Sequence, residues 1–459
     1  MPAAFPGAYG WGAGSVGGRG GTVIPVTNLN DTGDGSLRQV LENPGGPRII
    51  VFRVGGVINL TAGLIISSPY ITIAGQTAPG SGITIRGGGL LFNTHNVIVR
   101  YLRHRGTGVG DVGFILLRPD NDCHDVIIDH CSGSWNHDDL FDGWHNVVAA
   151  PAIYNITVQN CLFSEPLAEH PTSLLFGTQV PVMGIPPEKF HHISIHNNLF
   201  SNVGHRNPLI GTKHTQVVNN LVYNWDYFIS GFNFGAEVDF INNYWKPGPN
   251  DGVLRITRDD PDASVNSIYI AGNILPGELE DPIADNWTSK MVRDNDGPLT
   301  PTVAAIHRRL TPLAVSSDPL SVVSASVAYN NILADVGANR RLAGDGTWVS
   351  NPDSYDAAMI ADAKNNTGIS VLPSSPGAVP TQDAGTAYTD TDGDGMPDEW
   401  ELAHGLNPND PNDGPVIGPS GYTNLELFLN GENAPVLPPA ELAKNLWVRS
   451  PVQISVRSR

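Results

Sequence analysis

The sequence is poor in positive charge, in cysteine and in long apolar runs. Its 459 residues include 26 Lys and Arg against 45 Asp and Glu, which gives a formal net charge of -19 at pH 7. Nucleic acids and anionic membranes bind basic surfaces, so this charge argues against both as partners. The surplus of carboxylates suits metal ions. An acidic polymer can bind only where a cation or a local basic patch supports it.

The low cysteine count and the short apolar runs exclude further classes. Cys123, Cys131 and Cys161 show no CxxC or Cys/His zinc spacing and are too few for a disulfide framework. No apolar run reaches the ~18 residues of a transmembrane helix. The opening residues, MPAAF, are not the charged and then apolar start of a signal peptide. Two alternatives follow: a cytosolic protein, or a secreted protein whose signal peptide has been removed.

Glycine and proline, by contrast, are abundant. The chain has 51 Gly and 37 Pro, and inside a helix these residues cost about 1 and about 3 kcal/mol. Frequent turns are therefore expected rather than long helices. Hydrophobic residues make up 40% of the chain, which is enough to build a buried core.

A short β-branched strand that ends in polar residues recurs along the chain. Its copies are residues 70–76, 96–102, 125–131, 155–161, 192–198, 216–220, 238–243, 268–273 and 327–331. Most copies lie roughly 20–30 residues apart, the spacing of stacked β-solenoid coils. Several end in Asn-Asn, and stacked amides can satisfy one another along a ladder. A β-sandwich also has regular strands, but it gives no reason for this recurrence. The pattern predicts an all-β parallel β-helix.

Regions at both ends of the repeats differ from them. Ser36 and Gln39 form a capping box around an apolar stripe, which predicts a short helix that closes the N-terminal end of the solenoid. A stretch rich in Ser, Pro, Gly, Ala and Thr predicts a linker. We therefore divide the chain into a β-helix domain with its N-terminal cap (1–365), a linker (366–389), a calcium-binding segment (390–435) and a C-terminal tail (436–459).

The segment after the linker has the pattern of an EF-hand calcium loop. Carboxylates stand at loop positions 1, 3, 5, 9 and 12, namely Asp390, Asp392, Asp394, Asp398 and Glu401. Gly395 occupies position 6, where the loop turns sharply. Helices are expected at 399–403 and 424–429. One loop with no partner loop predicts a structural Ca²⁺ clamp rather than a sensor.

A further set of motifs, spread over residues 5–335, is specific in combination. They are Gly-Gly-Arg-Gly-Gly at 17–21, Gly-Ser-Leu-Arg at 35–38, Ile-Ala-Gly-Gln-Thr-Ala-Pro-Gly at 73–80, Ile-Asp-His-Cys-Ser-Gly-Ser-Trp at 128–135 and His-Arg-Asn-Pro at 205–208. Together they resemble the pectate lyase family, the right-handed parallel β-helix polysaccharide lyases. The resemblance implies β-elimination of an acidic polysaccharide, a Ca²⁺ cofactor and secretion, so we expect a signal peptide to be missing from this sequence.

β-Elimination of a uronide removes the C5 proton and expels the oxygen at C4. A divalent cation on the neighbouring carboxylate stabilises the developing charge, and Ca²⁺ suits such hard oxygen ligands. By resemblance, the calcium carboxylates are Asp129, Asp138, Asp139 and Asp142, with Asp111 as a more loosely placed acidic residue. The alternative is an ordinary acidic loop on an acidic protein.

The family's base is an arginine, which Arg206 matches. Arginine is a poor base in water because its pKa exceeds about 12, so it needs help from the site or an alkaline pH. The alternative is a structural Arg206 that pairs with a carboxylate.

Two family cations are missing from the sequence. Thr172 stands where the family has a lysine, and residues 209–211 read Leu-Ile-Gly where a second arginine is usual. Lys213, His205 and His214 are the candidates to replace them, and we expect Lys213 and His205 to bind substrate. The missing cations leave a methyl-esterified or different polyuronide open as the substrate.

Aromatic side chains near these coils offer stacking faces for sugar rings. Trp135 and Trp225 are the candidates for substrate binding, and packing of loops against the solenoid is the alternative for each. No HExxH motif indicates a catalytic zinc.

Three functions remain open. The leading one is a Ca²⁺-dependent lyase acting as a monomer on pectate or a related polyuronide. The second is a β-helix hydrolase of the polygalacturonase kind, in which Asp138, Asp139 and Asp142 supply the acid and the base. The third is a non-catalytic carbohydrate-binding solenoid, which the missing cations favour.

Overall fold

The repeated β-branched segments form the strands of a parallel β-helix. The computed structural model describes residues 1–108, 113–178, 184–250, 252–258, 264–287, 292–294, 305–316 and 318–431. The chain passes through three sheets in turn, and each strand pairs in parallel with the strands one coil before and one coil after it. The result is a solenoid of about nine turns, as the sequence predicts.

The three sheets divide the strands in a regular order. Sheet 1 contains β1 (Thr22–Val26), β2 (Arg48–Phe52), β5 (Ile71–Ala74), β8 (Val97–Arg100), β11 (His124–Asp129), β14 (Ile153–Gln159), β17 (Phe190–His196), β20 (Lys213–Val218), β23 (Glu237–Ile241) and β26 (Ser267–Ala271). Sheet 2 contains β3 (Gly56–Leu60), β6 (Ile83–Gly87), β9 (Arg103–Arg105), β12 (Ser132–Ser134), β15 (Leu162–Ser164), β18 (Leu199–Val203), β21 (Leu221–Trp225) and β24 (Tyr244–Lys246). Sheet 3 contains β4 (Leu64–Ile66), β7 (Leu90–Phe92), β10 (Ile115–Leu117), β13 (Phe141–His145), β16 (Leu174–Thr178), β19 (Leu209–Gly211), β22 (Phe228–Phe232), β25 (Val253–Arg258) and β27 (Val292–Asp294).

A ladder of buried amides runs along the solenoid between sheets 1 and 2. The side chain of Asn198 donates to Asn220 at 2.9 Å, Asn220 donates to Asn243 at 3.0 Å, and Asn243 donates to Asn273 at 2.9 Å. The residues just before the first three, such as Asn219, lie in the left-handed region that asparagine tolerates. The repeated Asn-Asn therefore makes one tight turn and one rung of the ladder in each coil, as predicted.

The N-terminal end of the core is closed by α1 (Leu37–Glu42). The Ser36 hydroxyl accepts a hydrogen bond from the Gln39 amide at 3.3 Å and caps the helix. Leu37, Val40 and Leu41 are buried in the main core cluster of the solenoid. The predicted cap is confirmed.

Two helices cover the outer face of sheet 2. They are α2 (Ala325–Ala334) and α3 (Ser354–Asn365), and they form one apolar cluster with Leu162, Leu199 and Leu221. Residues 327–331 were predicted as a last strand, and that prediction is wrong because they belong to α2. The buried side chains of α2 are Ala325, Ala328 and Ile332, a helical rather than an alternating spacing.

The C-terminal segment covers the first coils of sheet 1. We use this name for two parts of the chain that lie on either side of α3: a short antiparallel hairpin, β28 (Arg340–Leu342) with β29 (Trp348–Ser350), and the later residues with α4 (Asp398–His404) and α5 (Asn424–Asn430). Trp400 and Phe428 pack against Ile49 and Val51 on the outer face of β2. Residues 366–389 contain no helix or strand and contact the coils, for example where Ser81 donates its amide to the Asp383 carbonyl at 2.8 Å. The predicted tail at 436–459 lies outside the described residues.

The outer face of sheet 3 is the one that these elements leave open. The N-terminal residues Phe5 and Ala8 pack on sheet 1 against Ile98 and Ile127, and α2 and α3 take sheet 2. Among the described residues, no apolar cluster lies on the outside of sheet 3. The described segments that pack on the outside of the solenoid through apolar clusters therefore lie on sheets 1 and 2.

Candidate active site

Three carboxylates gather where β13 begins, on the open sheet 3. Asp138 and Asp139 lie in the turn before the strand, and Asp142 is its second residue. Phe141 belongs to the solenoid core, so the neighbouring Asp142 faces outward. The atoms Asp139 Oδ1 and Asp142 Oδ1 are buried without a hydrogen-bond partner among the described residues. We refer to Asp138, Asp139 and Asp142 as the acidic cluster.

Arg206 reaches this cluster from two coils away. Its backbone lies beside the first residue of β16, where the Leu174 amide donates to the Arg206 carbonyl at 2.8 Å. Its φ of 57° lies in the left-handed region. The guanidinium Nη1 donates to Asp139 Oδ2 at 2.8 Å and lies 3.8 Å from Asp138 Oδ1. The structure thus brings Arg206 together with the predicted carboxylates.

The electrostatics of the cluster show a shortage of positive charge. Burial, together with the charges of Asp142 and Asp138, raises the pKa of Asp139 to about 7 even though Arg206 opposes the shift. Burial also raises the pKa of Asp142. Crowded carboxylates with unpartnered oxygens fit a divalent cation, which removes the cost of ionising them together.

Sequence reasoning missed two side chains at this cluster. Arg118 Nη2 donates to Asp142 Oδ2 at 2.6 Å, and His170 Nδ1 lies 3.0 Å from Asp138 Oδ1. Arg118 follows β10, in which Leu116 pairs with Asp142, so the register of neighbouring coils is the signal that could have found it. His170 stands two residues before Thr172 and carries no signal of its own.

An exposed aromatic ring lies beside His205, the residue before Arg206 in the sequence. Tyr227 is 56% exposed, and its ring centre lies 5.4 Å from that of His205. Aromatic faces of this kind stack on sugar rings, so Tyr227 offers what was predicted of two tryptophans.

A second acidic site lies in the C-terminal segment. Two groups of carboxylates share Asp394, and the ligand atoms within each group lie within 4.8 Å of one another; the groups are Asp390, Asp392 and Asp394, and Asp394, Glu401 and Asp413. Glu401 is buried and neither of its carboxylate oxygens has a hydrogen-bond partner among the described residues. Burial and the neighbouring carboxylates raise the pKa of Glu401 to about 8. This donor set fits Ca²⁺.

The second site departs from the predicted EF-hand in two ways. No helix precedes the loop, because residues 366–389 have no helix, so the helix–loop–helix of an EF-hand is not present. Asp398 belongs to neither carboxylate group, and its side chain instead accepts the Thr391 amide at 2.7 Å. Asp413, which sequence reasoning missed, takes part in the second group.

Comparisons with known proteins agree with this architecture. The chain is 34% identical over 435 residues to a protein named probable pectate lyase C from Aspergillus flavus, with 93% of each chain covered. It is 32% identical over 436 residues to the protein of the same name from Emericella nidulans, covering 93% of this chain and 92% of the relative. This chain belongs to the pectate lyase family. It is a polysaccharide lyase by that membership.

Solved structures resemble the fold of this pectate lyase family member. Jun a 1, the major allergen from cedar pollen, matches with a TM-score of 0.53 and 17% identity, covering 72% of this chain and 92% of the allergen. A pectate lyase from Bacillus sp. N165, solved in complex with trigalacturonate, matches with a TM-score of 0.53 and 19% identity, covering 72% and 98%. At this identity the likeness shows the parallel β-helix fold. A family model described as a bacterial TSP3 repeat matches residues 390–411.

Asp129 does not join the acidic cluster of this pectate lyase family member. It ends β11 in sheet 1, and its carboxylate is already satisfied by Arg100 at 2.8 Å, Gln159 at 2.8 Å and Asn160 at 2.9 Å. Burial would raise the pKa of Asp129, but His130 and Arg100 hold it well below its usual range. The predicted role as a calcium ligand is corrected to a buried structural ion pair.

Both substrate-binding tryptophans are also corrected. Trp135 is 2% exposed and packs edge-on against Tyr355 of α3, with its indole nitrogen donating to Glu165. Trp225 is 2% exposed and belongs to the solenoid core. Neither ring has a face free for a sugar.

The remaining predicted residues divide between the site and its surroundings. His205 lies beside Arg206, and burial together with the Arg206 charge lowers its pKa to about 3, so it is neutral near pH 7. The ammonium group of Lys213 donates to the Gly235 carbonyl at 2.7 Å and lies 3.7 Å from Glu188, so it is engaged away from the acidic cluster. Asp111 lies outside the described residues.

None of the described helices has the length and the apolar character that crossing a membrane requires.

Proposed function

We propose that this member of the pectate lyase family cleaves pectate or a related polyuronide by β-elimination, with Arg206 as the base and Ca²⁺ held by the acidic cluster. The observation that carries the proposal is the Arg206 guanidinium 2.8 Å from Asp139, in a cluster of under-paired carboxylates on the open face of sheet 3. The name of the relatives, pectate lyase, supports the choice of substrate.

The reaction asks specific tasks of these side chains. Arg206 takes the C5 proton as the C4–O bond breaks and a C4=C5 double bond forms, and the leaving oxygen is protonated from solvent. Tyr227 offers a face on which a sugar ring can stack beside Arg206. When bound by Asp138, Asp139 and Asp142, Ca²⁺ supplies the positive charge that stabilises the enolate developing next to the uronide carboxylate.

The second acidic site has a structural role in this proposal. Asp390 pairs with Arg53 of the first coils, and Glu426 of α5 pairs with Arg19 at 2.8 Å. A Ca²⁺ ion at Asp394, Glu401 and Asp413 fastens the segment that covers sheet 1. A polymeric substrate is met outside the cell, so we propose that the protein is secreted. We also propose that it acts as a monomer.

One observation favours a hydrolase as the second candidate. A carboxyl group with a pKa near 7, as burial gives Asp139, suits the general acid of a glycosidase. Elimination and hydrolysis differ in their products, since only elimination leaves a double bond conjugated to the carboxylate.

The proposal is tested with several polyuronides, each digested with added Ca²⁺ and with excess chelator. We expect ultraviolet-absorbing unsaturated ends that form only when Ca²⁺ is present. Shortened chains without that absorbance would identify a hydrolase. Binding of the polymers without any cleavage would identify a non-catalytic protein, and full activity in chelator would remove Ca²⁺ from the mechanism.

A further inference from the structure

A cavity of about 470 Å³ lies where the chain turns from sheet 1 to sheet 2, whereas the acidic cluster lies on sheet 3. Sites for small molecules have volumes of roughly 300–1,000 Å³. We propose that this cavity binds a small carboxylic acid that carries an aromatic ring. The site is separate from the proposed lyase chemistry and has its own charge and its own walls.

The floor of the cavity consists of the residues with which four neighbouring strands of sheet 1 end. They are Arg100, Asp129, Gln159 and His196, the last residues of β8, β11, β14 and β17. The strand register places each of them beside the next. The N-terminal residues hold this row from outside, because Gln159 donates to the Gly7 carbonyl at 3.0 Å. The floor therefore belongs to the solenoid itself and not to a loop.

The charged side chains that line the cavity leave a surplus of positive charge. Three cations, Arg100, His130 and Arg340, share the two carboxylates of Asp129 and Asp335. Asp129 lies 2.8 Å from Arg100 and 2.9 Å from His130, and Asp335 lies 3.1 Å from Arg340. Burial opposes a charged imidazole, but the charge of Asp129 raises the pKa of His130 to about 9. One further carboxylate would balance the third cation.

Two buried imidazole nitrogens at this cavity have no hydrogen-bond partner among the described residues. They are His130 Nε2 and His196 Nε2. The Asp335 Oδ1 atom lies 3.5 Å from His130 Nε2, which is too far for a good hydrogen bond. Buried polar atoms are normally paired. A ligand carboxylate offers two acceptor oxygens to donors of this kind.

Aromatic and aliphatic side chains form the walls. The Tyr101 ring stacks on His130 with the ring centres 4.9 Å apart, and the centre of the Trp348 ring lies 5.1 Å from that of Tyr101. The helix α2 adds Val327 and Ile332. Rings beside a surplus positive charge fit an aromatic acid. A sugar acid fits less well, because its hydroxyl groups would lose water against these walls.

The proposal is tested by calorimetric titration of the full chain of 459 residues with 3-phenylpropanoate. Excess chelator keeps Ca²⁺ from holding an acid at the acidic cluster. We expect one site per chain and a Tm that rises with ligand concentration, because a ligand bound only by the folded state stabilises it. The neutral amide of the same acid, and galacturonate, which has the charge without the ring, should each bind at least roughly tenfold more weakly. An acid that does not bind, or that binds no better than its amide or galacturonate, would overturn the proposal.

Variants then test whether binding occurs in this cavity. Val327 lies on α2 and is 46% exposed, so Val327→Trp should fill the cavity without disturbing the core and should abolish measurable binding of the acid. The matched control is Ser326→Trp, which adds the same ring at an exposed neighbour outside the cavity lining and should keep the wild-type affinity.

Arg340→Gln removes one of the three cations. It should weaken binding of the acid by roughly tenfold and leave the weaker affinity of the amide unchanged. Equal losses in Val327→Trp and Ser326→Trp, or wild-type affinity in both Val327→Trp and Arg340→Gln, would show that the acid binds elsewhere and would overturn the proposal.

Discussion

At the scale of single residues, Arg206 carries the proposed chemistry. Arg206→Ala and Arg206→Lys are both expected to lower kcat by about 10²–10⁴-fold, the usual contribution of a positioned base. Lysine keeps the charge but loses the planar fork that holds Asp139. The measurement is the initial rate of unsaturated product formation at saturating substrate.

The matched control for this prediction is Arg341→Ala. Arg341 lies in the hairpin of the C-terminal segment, away from sheet 3, and its guanidinium donates to the Leu342 carbonyl at 3.4 Å. This variant should keep the wild-type kcat. If Arg206→Ala retains most of its activity, the base lies elsewhere, and Lys213 and His205 are the next to test.

A second residue-scale prediction concerns the buried pair of His130 and Asp129. Burial opposes a charged imidazole, yet the Asp129 carboxylate at 2.9 Å raises the pKa of His130 to about 9. Because the folded pKa exceeds the unfolded value of about 6.5, the pair's stabilisation is complete below that pH and is lost as pH rises toward 9. The free energy of unfolding should fall over this window, by at most on the order of 3 kcal/mol.

The comparison is with His130→Asn, which cannot titrate. Urea unfolding of both proteins at pH 6, 7.5 and 9 should show a larger fall in the wild type than in the variant, because the raised pKa values of Asp139 and Glu401 give both proteins the same additional fall. Parallel curves would mean that His130 is not charged in the folded protein. At the acid end the sign reverses, since the lowered pKa of Asp129 makes its contribution disappear as pH falls through the carboxylate range.

Residue roles were predicted from motifs that resemble the family. For Arg206 and the acidic cluster, the structure brings the predicted residues together, with the Arg206 guanidinium 2.8 Å from Asp139. Asp129 also ends a strand, but the sequence does not say that Arg100 and Gln159 of the neighbouring coils will saturate it. Whether a tryptophan such as Trp225 points into or out of a coil likewise depends on the register with β18.

At the scale of elements, the C-terminal segment can be used to test whether a bound Ca²⁺ ion stabilises the folded protein. The double variant Asp392→Asn with Glu401→Gln removes charge without changing shape. It should lose the Ca²⁺-dependent part of its thermal stability, which for an ion bound only by the folded state is about 2.7 kcal/mol at a hundred times Kd. In chelator it should be at least as stable as the wild type, because repulsion among the buried carboxylates is relieved.

The control for the clamp is Asp398→Asn, since Asp398 belongs to neither carboxylate group. It should keep the rise in Tm on adding Ca²⁺. The double variant should also keep the wild-type kcat, because the segment packs on sheet 1 and the proposed chemistry lies on sheet 3. An unchanged rise in Tm in the double variant would show that the loop does not bind a structural ion.

Strands and turns could be predicted from the sequence where each copy of the repeat forms one coil of the solenoid. The strands of sheet 1 and the amide ladder follow from the recurring Asn-Asn, because each turn has the same backbone requirement. The segment 327–331 has the same local pattern but forms α2. The difference comes from tertiary contacts. Leu199 and Leu221 lie on the outer face of sheet 2, and a helix with Ala328 and Ile332 on one face can cover them.

At the scale of the whole molecule, coverage decides where substrate can bind. The N-terminal residues, α2 with α3, and the C-terminal segment pack on sheets 1 and 2, and the acidic cluster with Arg206 lies on sheet 3. The recurring strands predicted the all-β solenoid, and composition gave its acidity. Neither could predict this division of faces, because the covering segments are far from the coils in sequence.

The central claim is that the protein cleaves a polyuronide by β-elimination. The most direct test is digestion in water labelled with oxygen-18, followed by mass spectrometry of the products. Elimination incorporates no solvent oxygen at the broken bond, and each new non-reducing end lacks one water relative to a hydrolysis product. We predict unlabelled products of that lower mass, formed by the wild type with Ca²⁺ and not by Arg206→Ala. Products of full mass carrying one labelled oxygen would contradict the account and identify a hydrolase.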